Sequence, residues 1–511
     1  MTGAAGTPDG RPADVAVIGA GVVGTAIARA LACQDVSCVL IDAANDVGTG
    51  TSKANTAILH TGFDAVPGSL ESRLLRRGYA LLGEYAQRAG IPVERTGALL
   101  VAWTAGQLAE LPAIEDKARR NGVTDVHPIG PGELYRREPH LGPGALGALA
   151  IPGESIICPW TTPLAYATQA LAAGARLRLR SRVTGIRPGA TEHQVVTSTG
   201  VVRCRWVVNA AGLNSDVIDA MMGGDRFTIC PRRGELIVFD KLARPLLSEI
   251  LLPVPTARTK GVLVAPTVYG NVLLGPTAED VPDRGDVATT AAGLAALIDA
   301  GRRILPGLAA EEVTASYAGL RAATADRDYQ IWVDGSRRYA CVAGIRSTGL
   351  SASLGIAEYV TVLLADAGLR LVGRPEPDPP VMPYIGQAGT RPYADAARIA
   401  ADPEYGQIVC HCERVTRGEI RDALASPVPP ADTEGLRRRT RALNGRCQGF
   451  YCAATVAELL GGAGSVPSAQ ASRGSSPRTG TAKAPATESL GPQASGGSGG
   501  SSPRTNRAEP G

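Results

Sequence analysis

Asp14-Val-Ala-Val-Ile-Gly-Ala-Gly-Val-Val-Gly24 is the stretch on which the fold turns. Asp14–Ile18 has the continuous apolar character of a strand buried on both faces. Gly19-Ala-Gly21-Val-Val-Gly24 follows at once, and Thr25–Ala32 continues as a helix-period pattern. Ser37–Ile41 is a second apolar strand, closed by Asp42, 18 residues after Gly24. Each glycine has a physical reason: Gly19 permits a tight turn, Gly21 lets a pyrophosphate approach closely, and Gly24 allows helix–strand packing. The helix start offers free N–H groups and a positive dipole end to that pyrophosphate. Asp42 is placed to accept ribose hydroxyls. Strand, turn, helix, strand and acid in this order predict a dinucleotide-binding βαβ unit in an α/β fold. The rival reading is an ordinary βαβ turn without a ligand.

The rest of the chain sets bounds. Its 511 residues predict two to four domains, and 44% hydrophobic residues suffice for large cores. No run of about 18 uncharged apolar residues occurs, so no membrane-spanning helix is expected. Met1–Ala13 lacks the apolar run of a secretory signal. The net charge of +4 argues against a nucleic-acid binder, and +3 of it lies in Gly461–Gly511. That last segment is Gly, Ser, Pro, Ala and Thr with almost no large apolar side chain, and reads as a disordered tail. Leu371–Tyr405 is Pro-rich and reads as a linker or a strap over the surface. Ten cysteines without a signal point to a reducing, cytoplasmic setting.

The cysteines divide in two. Cys33, Cys38, Cys158, Cys204, Cys230 and Cys341 are scattered in apolar contexts and read as buried thiols. Cys410-His-Cys412 and Cys447-Gln-Gly-Phe-Tyr-Cys452 form C-x-C, a 34-residue gap and C-x4-C. Four thiolates hold a [2Fe–2S] cluster or a structural zinc, but zinc favours C-x2-C knuckles, which neither half has. The fingerprint stands at the start of a long chain with no second copy, which favours FAD held as a prosthetic group over NAD.

Further segments follow in order: Thr51-Ser-Lys-Ala-Asn-Thr-Ala-Ile-Leu-His-Thr-Gly62, Ile157-Cys-Pro159, Val207-Val-Asn-Ala-Ala-Gly212, Pro231-Arg-Arg-Gly-Glu235, Thr259-Lys-Gly-Val262, Ala318-Gly-Leu-Arg321 and Ala343-Gly-Ile-Arg-Ser-Thr-Gly-Leu350. With the fingerprint, they resemble the FAD-dependent oxidoreductases of the D-amino-acid-oxidase (DAO) superfamily. The likeness is greatest to the branch of glycerol-3-phosphate dehydrogenase and L-2-hydroxyglutarate oxidase. It covers about residues 13–365. The resemblance implies a Rossmann-like FAD-binding domain in parts (about 13–80, 150–225 and 320–365) and an interleaved α+β substrate domain (about 81–149 and 226–319). It implies cofactor contacts from Gly19, Gly21, Gly24, Asp42, Ser52, Asn55, Thr56, Val183, Ala211, Gly212, Gly344, Arg346, Gly349 and Leu350. Arg182-Val183 is read as the end of a strand, and Ile356–Leu364 as the helical run after the Gly344–Gly349 loop. Residues 366–405 are the expected linker. Residues 406–460, with Ile408–Thr416, Arg438-Arg-Thr-Arg441 and Gly445–Gly449, resemble the bacterioferritin-associated-ferredoxin-like (BFD-like) [2Fe–2S] domain, a small helical module. Cys410, Cys412, Cys447 and Cys452 are then its ligands. Leu443-Asn444 and Phe450-Tyr451 depart from the small residues expected there.

Such an enzyme needs a proton acceptor and a cation for an anionic substrate. His60 is the leading proton acceptor, Arg321 the leading anion holder, and Lys260 a weaker candidate. His127, His140 and His193 are read as structural. The expected reaction oxidises a small anionic secondary alcohol, glycerol 3-phosphate first and an L-2-hydroxy acid second. Electrons would leave through the cluster to a protein partner or the quinone pool. Peripheral attachment to the inner face of a membrane stays open. The alternatives are an amino-acid or hydroxyproline-type amine dehydrogenase, and a redox-responsive subunit without catalysis.

Overall fold

In the computed structural model, which describes residues 11–255 and 261–462, β1 (Ala13–Ile18) lies at the centre of an eight-stranded sheet. It runs parallel to β2 (Cys38–Ile41) on one side and to Gly200–Asn209 on the other. Tyr339–Ala343 continues the parallel set beyond Gly200–Asn209, and Arg176–Arg178 beyond β2. Val15 and Val17 enter one core while Ala16 and Ile18 enter another, so the strand is apolar throughout because both its faces are covered.

The register matters most for function. Ile18 pairs with both Ile41 and Asn209, and Asn209 pairs with Cys341. Four parallel strands therefore end at one edge. Gly19, Asp42, Ala210–Gly212 and Gly344 are the residues that emerge there. In open α/β sheets, ligands bind outside the carboxyl ends of the strands.

Helix α1 (Val22–Ala32) packs against Thr161–Ala172 and Gly349–Asp366, and the latter packs on Leu70–Ala89. Small residues permit this. A Cβ on Gly78 would meet the Ser351 carbonyl oxygen at 2.4 Å, and one on Gly355 the Leu74 carbonyl oxygen at 2.4 Å. The helix Gly349–Asp366 begins seven residues before Ile356, where the sequence pattern suggests the helical run starts. The residues Ser351–Gly355, outside that expected run, belong to the helix, and Ser351 and Gly355 lie where it touches Leu70–Ala89. Gly349–Asp366 is also long and apolar enough to cross a membrane, yet it lies half-buried among these helices.

A nine-stranded second sheet carries much of the remaining β structure. Its longest pairing sets Cys230–Phe239 antiparallel to Val313–Ala323, with Arg232 opposite Arg321. Ala291–Ile304 covers one face through Leu297.

Residues beyond Asp366 act as a strap. Asp35 N–H donates to the Val372 carbonyl, Met382 N–H to Ala89, and Gln387 N–H to Val268. The Cys-bearing module follows. Ile408–Cys410 and Val415–Thr416 form a small hairpin, and Arg417–Leu424, Thr433–Thr440 and Ala453–Gly462 are its helices. Thr416 and Glu419 close a capping box at the first of them.

Two readings need correction. Val183 opens the strand Val183–Arg187 rather than ending one, because Arg180 in the left-handed region (φ 54°) turns the chain just before it. Cys230 is exposed, since it begins its strand at the rim of the second sheet; the other five scattered thiols are buried. Lys260, and the tail beyond Gly462, lie outside the described residues.

Candidate active site and cofactor sites

The strand-end edge has the features a dinucleotide requires. Gly19 adopts φ 109°, and a Cβ there would stand 2.3 Å from the Ala210 carbonyl oxygen. A Cβ on Gly24 would sit 1.8 Å from the Gly19 carbonyl oxygen. Only glycine fits either position. The first turn of α1 receives no cap from its own preceding side chain; Ser52 Oγ accepts from Val22 N–H at 2.9 Å instead. Asp42 accepts from Ala20 N–H at 2.6 Å and from Ala44 N–H at 2.7 Å. Burial raises its carboxyl above the ordinary value, against the pull of those two amides. Ser181 N–H donates to the Asp42 carbonyl, so the turn that leads into Val183 lies alongside.

The Thr51–Gly62 segment crosses in front of this edge. Asn55 uses its amide locally, donating to the Ser52 carbonyl and accepting from Ala57 N–H. Thr51 Oγ1 donates to the Leu320 carbonyl at 2.9 Å and Tyr317 Oη to the Asn55 carbonyl at 2.8 Å. These bonds lock the segment onto the strand bearing Arg321. Thr56 is half-buried and Leu350 buried. The Gly344–Leu350 loop closes the group: Gly344 turns at φ 66°, and Ser351 Oγ accepts from His60 N–H at 2.8 Å.

His60 has a partner that sequence reasoning missed. Its Nδ1 lies 2.9 Å from Glu154 Oε2, and the Glu154 side chain is fully buried. Thr61 holds the other carboxylate oxygen, through N–H at 2.7 Å and Oγ1 at 2.8 Å. With Nδ1 donating to the carboxylate, Nε2 carries the free lone pair. About a quarter of the His60 side chain stays accessible, so that lone pair can be reached. Glu154 is the one acid in the apolar stretch Ala148–Ile157, a signal visible in the sequence, but its partner lies 94 residues away.

Arg321 sits among cations. Burial first, then Arg232 and Arg346, push its guanidinium down to about 10, still charged at neutral pH. Asp280 neutralises Arg232 bidentately, at 2.6 and 2.9 Å, and feels Arg346 only at longer range. Among the described residues neither the Arg321 nor the Arg346 side chain makes a hydrogen bond or ion pair. Two guanidiniums that feel one another, with no carboxylate in contact, are the kind of arrangement that can receive an external anion.

The profile of the DAO family, FAD dependent oxidoreductase, matches residues 14–363. The chain belongs to the DAO family of FAD-dependent oxidoreductases. The BFD-like [2Fe–2S] binding domain matches residues 408–461. A glycerol 3-phosphate dehydrogenase of Caloramator mitchellensis is 34% identical over 88% of this chain and 93% of that one. One subunit of the anaerobic glycerol-3-phosphate dehydrogenase of Escherichia coli is 26% identical, covering 89% of each. Among solved structures, the dithionite-reduced L-α-glycerophosphate oxidase of Mycoplasma pneumoniae with FAD bound is 26% identical, with a TM-score of 0.68 over 72% of this chain and 98% of that one. The protein is therefore an FAD-dependent oxidoreductase that also carries a [2Fe–2S] domain.

The residues present fit that second group. Cys412 contacts Cys447, and Cys452 contacts Cys410. Among the described residues no three side chains gather as ligands of a single ion; the thiols stand as two pairs, four donors in all, as a [2Fe–2S] cluster needs. Burial and the neighbouring Cys410 push Cys452 up to about 12. Burial also works to raise Cys447, but the Tyr451 N–H, the Cys412 thiol and the N–H groups of Gly449 and Phe450 outweigh it and hold the thiol below its ordinary value. A Cβ on Gly445 would meet Cys412 Cβ at 2.1 Å, so the loop closes only on glycine. His411 is exposed.

Buried ion pairs clamp the module to the oxidoreductase. Asp46 accepts from Arg438 at 2.7 Å and from Arg439 at 2.7 and 2.8 Å. Glu413 meets Lys241 at 2.9 Å and Arg441 at 3.1 Å. Arg441 lies over the Tyr269 ring, 4.2 Å from its centroid, and Tyr269 stacks on Trp160. The Trp160 indole N–H donates to the Lys53 carbonyl in the segment before His60. Cys158 is not mere filler: its Sγ hydrogen-bonds the Tyr269 hydroxyl at 2.9 Å.

Proposed function

We propose that this chain oxidises a small anionic secondary alcohol, glycerol 3-phosphate foremost, to the ketone, and delivers the electrons through its cluster to a protein partner or quinone. The observation that carries this is the His60–Glu154 pair together with two unpaired guanidiniums. A secondary alcohol must lose its hydroxyl proton as its carbon is oxidised, and an imidazole whose Nδ1 donates to Glu154 takes that proton at Nε2. Arg321 and Arg346 bind the phosphate dianion and set the carbinol carbon at a fixed depth. An amine substrate sheds its proton in water before binding and has less need of such a base, so the pair favours the alcohol. FAD, when bound, supplies the two-electron acceptor. The Gly19–Gly24 turn, Asp42, Ala211–Gly212 and the Gly344–Leu350 loop would hold it, with Ser52, Asn55 and Thr56 shaping the near wall.

The cluster domain supports an outlet that is not dioxygen, because an iron–sulfur centre passes electrons singly. Ten free cysteines accord with a reducing compartment. The test is anaerobic mixing of the purified protein with glycerol 3-phosphate, L-2-hydroxyglutarate, proline and hydroxyproline in turn. Bleaching of the flavin by glycerol 3-phosphate at the lowest concentration is expected. Bleaching by an amine alone overturns the reading.

A further inference from the structure

The chain has only four Phe and four Trp, and one Phe stands in an unusual place. Between the ligand cysteines Cys447 and Cys452, Phe450 is 82% and Tyr451 73% exposed. Their rings meet edge to face at 5.1 Å and form one apolar knuckle. Nothing in the fold requires it, for the module closes its own core with Leu436, Ala442, Leu443 and Val456. Gln448, from the same loop, donates to the Thr314 carbonyl, so one side of the loop faces the oxidoreductase and the aromatic pair projects from the other.

The exposed charges on the two ligand loops are cationic. Besides Tyr451 the exposed titratable residues there are His411, Arg414 and Arg446, and Arg446 also pairs with the buried Asp240 at 2.7 Å. Glu413 is buried in its ion pairs, and no acid occurs from Gly445 to Ala457. Exposed aromatics rimmed by cations have the make-up of an interface hot spot.

We propose that Phe450 and Tyr451 form the docking knuckle for an electron-accepting protein with an apolar centre and an acidic rim. The inference rests on the reading that electrons leave through the cluster. The partner's centre would then lie against the loop that carries two of the four ligands. Each docking event passes one electron: the reduced cluster returns to its oxidised state and the partner's centre is reduced by one.

The natural acceptor being unidentified, the probes are cytochrome c, which is basic, and the same protein with its lysines succinylated, which is acidic. Both carry one haem and take one electron. Holoenzyme reduced anaerobically by glycerol 3-phosphate is expected to reduce the acidic form faster, with the advantage lost as salt is added. The Phe450→Ala/Tyr451→Ala variant is expected to lose ~tenfold or more of that rate and to bind the oxidised acidic cytochrome correspondingly more weakly without turnover. Flavin bleaching and iron content stay as in the parent. Unchanged binding and rate in the variant overturn the knuckle alone. A parent whose flavin bleaches but which reduces neither cytochrome overturns the cluster-outlet reading, and the knuckle with it. Equal rates for the two cytochromes overturn the acidic rim. If the knuckle instead binds anionic phospholipid vesicles, and the variant does not, the surface faces a membrane and the protein partner is refuted.

Discussion

Replacing Glu154 by Gln exchanges one carboxylate oxygen for an NH2 group at a fully buried position. Thr61 needs an acceptor at both its N–H and its hydroxyl, and the amide oxygen of Gln supplies it. The NH2 group must then face His60 Nδ1, 2.9 Å away in the parent. Two donors cannot share that contact, so the imidazole proton moves to Nε2 and the lone pair turns away from the substrate. The charge-assisted hydrogen bond alone is worth about 1.5–3 kcal/mol, roughly tenfold to a hundredfold in rate. Loss of the acceptor nitrogen removes general-base catalysis as well, typically worth about 10²–10⁴-fold. The expected result is a fall in kcat of about a hundredfold or more, with KM for glycerol 3-phosphate little changed because Arg321 and Arg346 are untouched. Raising the pH does not restore the rate, since the fault lies in the tautomer. The assay is stopped-flow bleaching of the flavin under anaerobic conditions, with flavin content and thermal midpoint as controls for folding. Parental kcat in a folded, flavin-loaded Glu154→Gln protein refutes the His60 assignment. Glu154→Asp keeps the charge and lengthens the contact, and is expected to fall between the two.

Arg321→Ala removes one guanidinium from the anion site and is expected to raise KM by about a hundredfold, from a lost charge-assisted contact of about 3 kcal/mol, with flavin content unchanged; substrate titration checks it. Gly445→Ala drives a methyl group into Cys412 Cβ at 2.1 Å and is expected to strip the module of iron and acid-labile sulfide while FAD remains, as measured by metal and flavin analysis. Asp46→Asn leaves Arg438 and Arg439 without their buried counter-charge and is expected to loosen the module by about 3–5 kcal/mol, read as faster hydrogen exchange in Thr433–Thr440. The same contact is acid-labile. Burial raises the Asp46 carboxyl, but Arg439 and Arg438 outweigh it and hold it below the ordinary value. A depressed carboxyl stabilises the folded protein fully above its unfolded value of about 4 and loses that contribution as pH falls below it through the folded value. Glu413, held down by Arg441 and Lys241, acts in the same sense. Hydrogen exchange followed from pH 7 downward is expected to show release of the module only in acid, below about pH 4.

The fold's centre was legible in the sequence because its signals are local. A strand buried on both faces is apolar without interruption, and a pyrophosphate turn leaves its glycines at a fixed spacing directly after that strand. The same locality explains the misreadings. The helical run reads as starting at Ile356 because Ser351–Gly355 lacks a run of large apolar residues; Gly355 answers the helix Leu70–Ala89, far away in the chain. The place of Val183 depends on Arg180 adopting positive φ, which its residue type does not announce.

The site divides along the same line. Arg321 and His60 could be chosen from the short motifs around them, but what makes them chemically able is long-range. Glu154 orients His60 across 94 residues, and Arg321 sits in a field of positive charge that Arg232 and Arg346 supply from two other elements. The cysteines make the point more strongly. Their spacing names a four-thiolate site by itself, but nothing in Cys410–Cys452 shows that Asp46, in the turn after β2, anchors Arg438 and Arg439. Asp46 lies shortly beyond Asp42, so the chain segment leaving the dinucleotide edge also holds the iron–sulfur module. A single short stretch after β2 thus joins the dinucleotide edge to the iron–sulfur module, and under the proposed outlet a module held by paired buried charges acts as a stationary conductor rather than a swinging arm. Asp46→Asn discriminates between the two: a stationary conductor loses its rate of cluster reduction when loosened, whereas a swinging arm gains or keeps it.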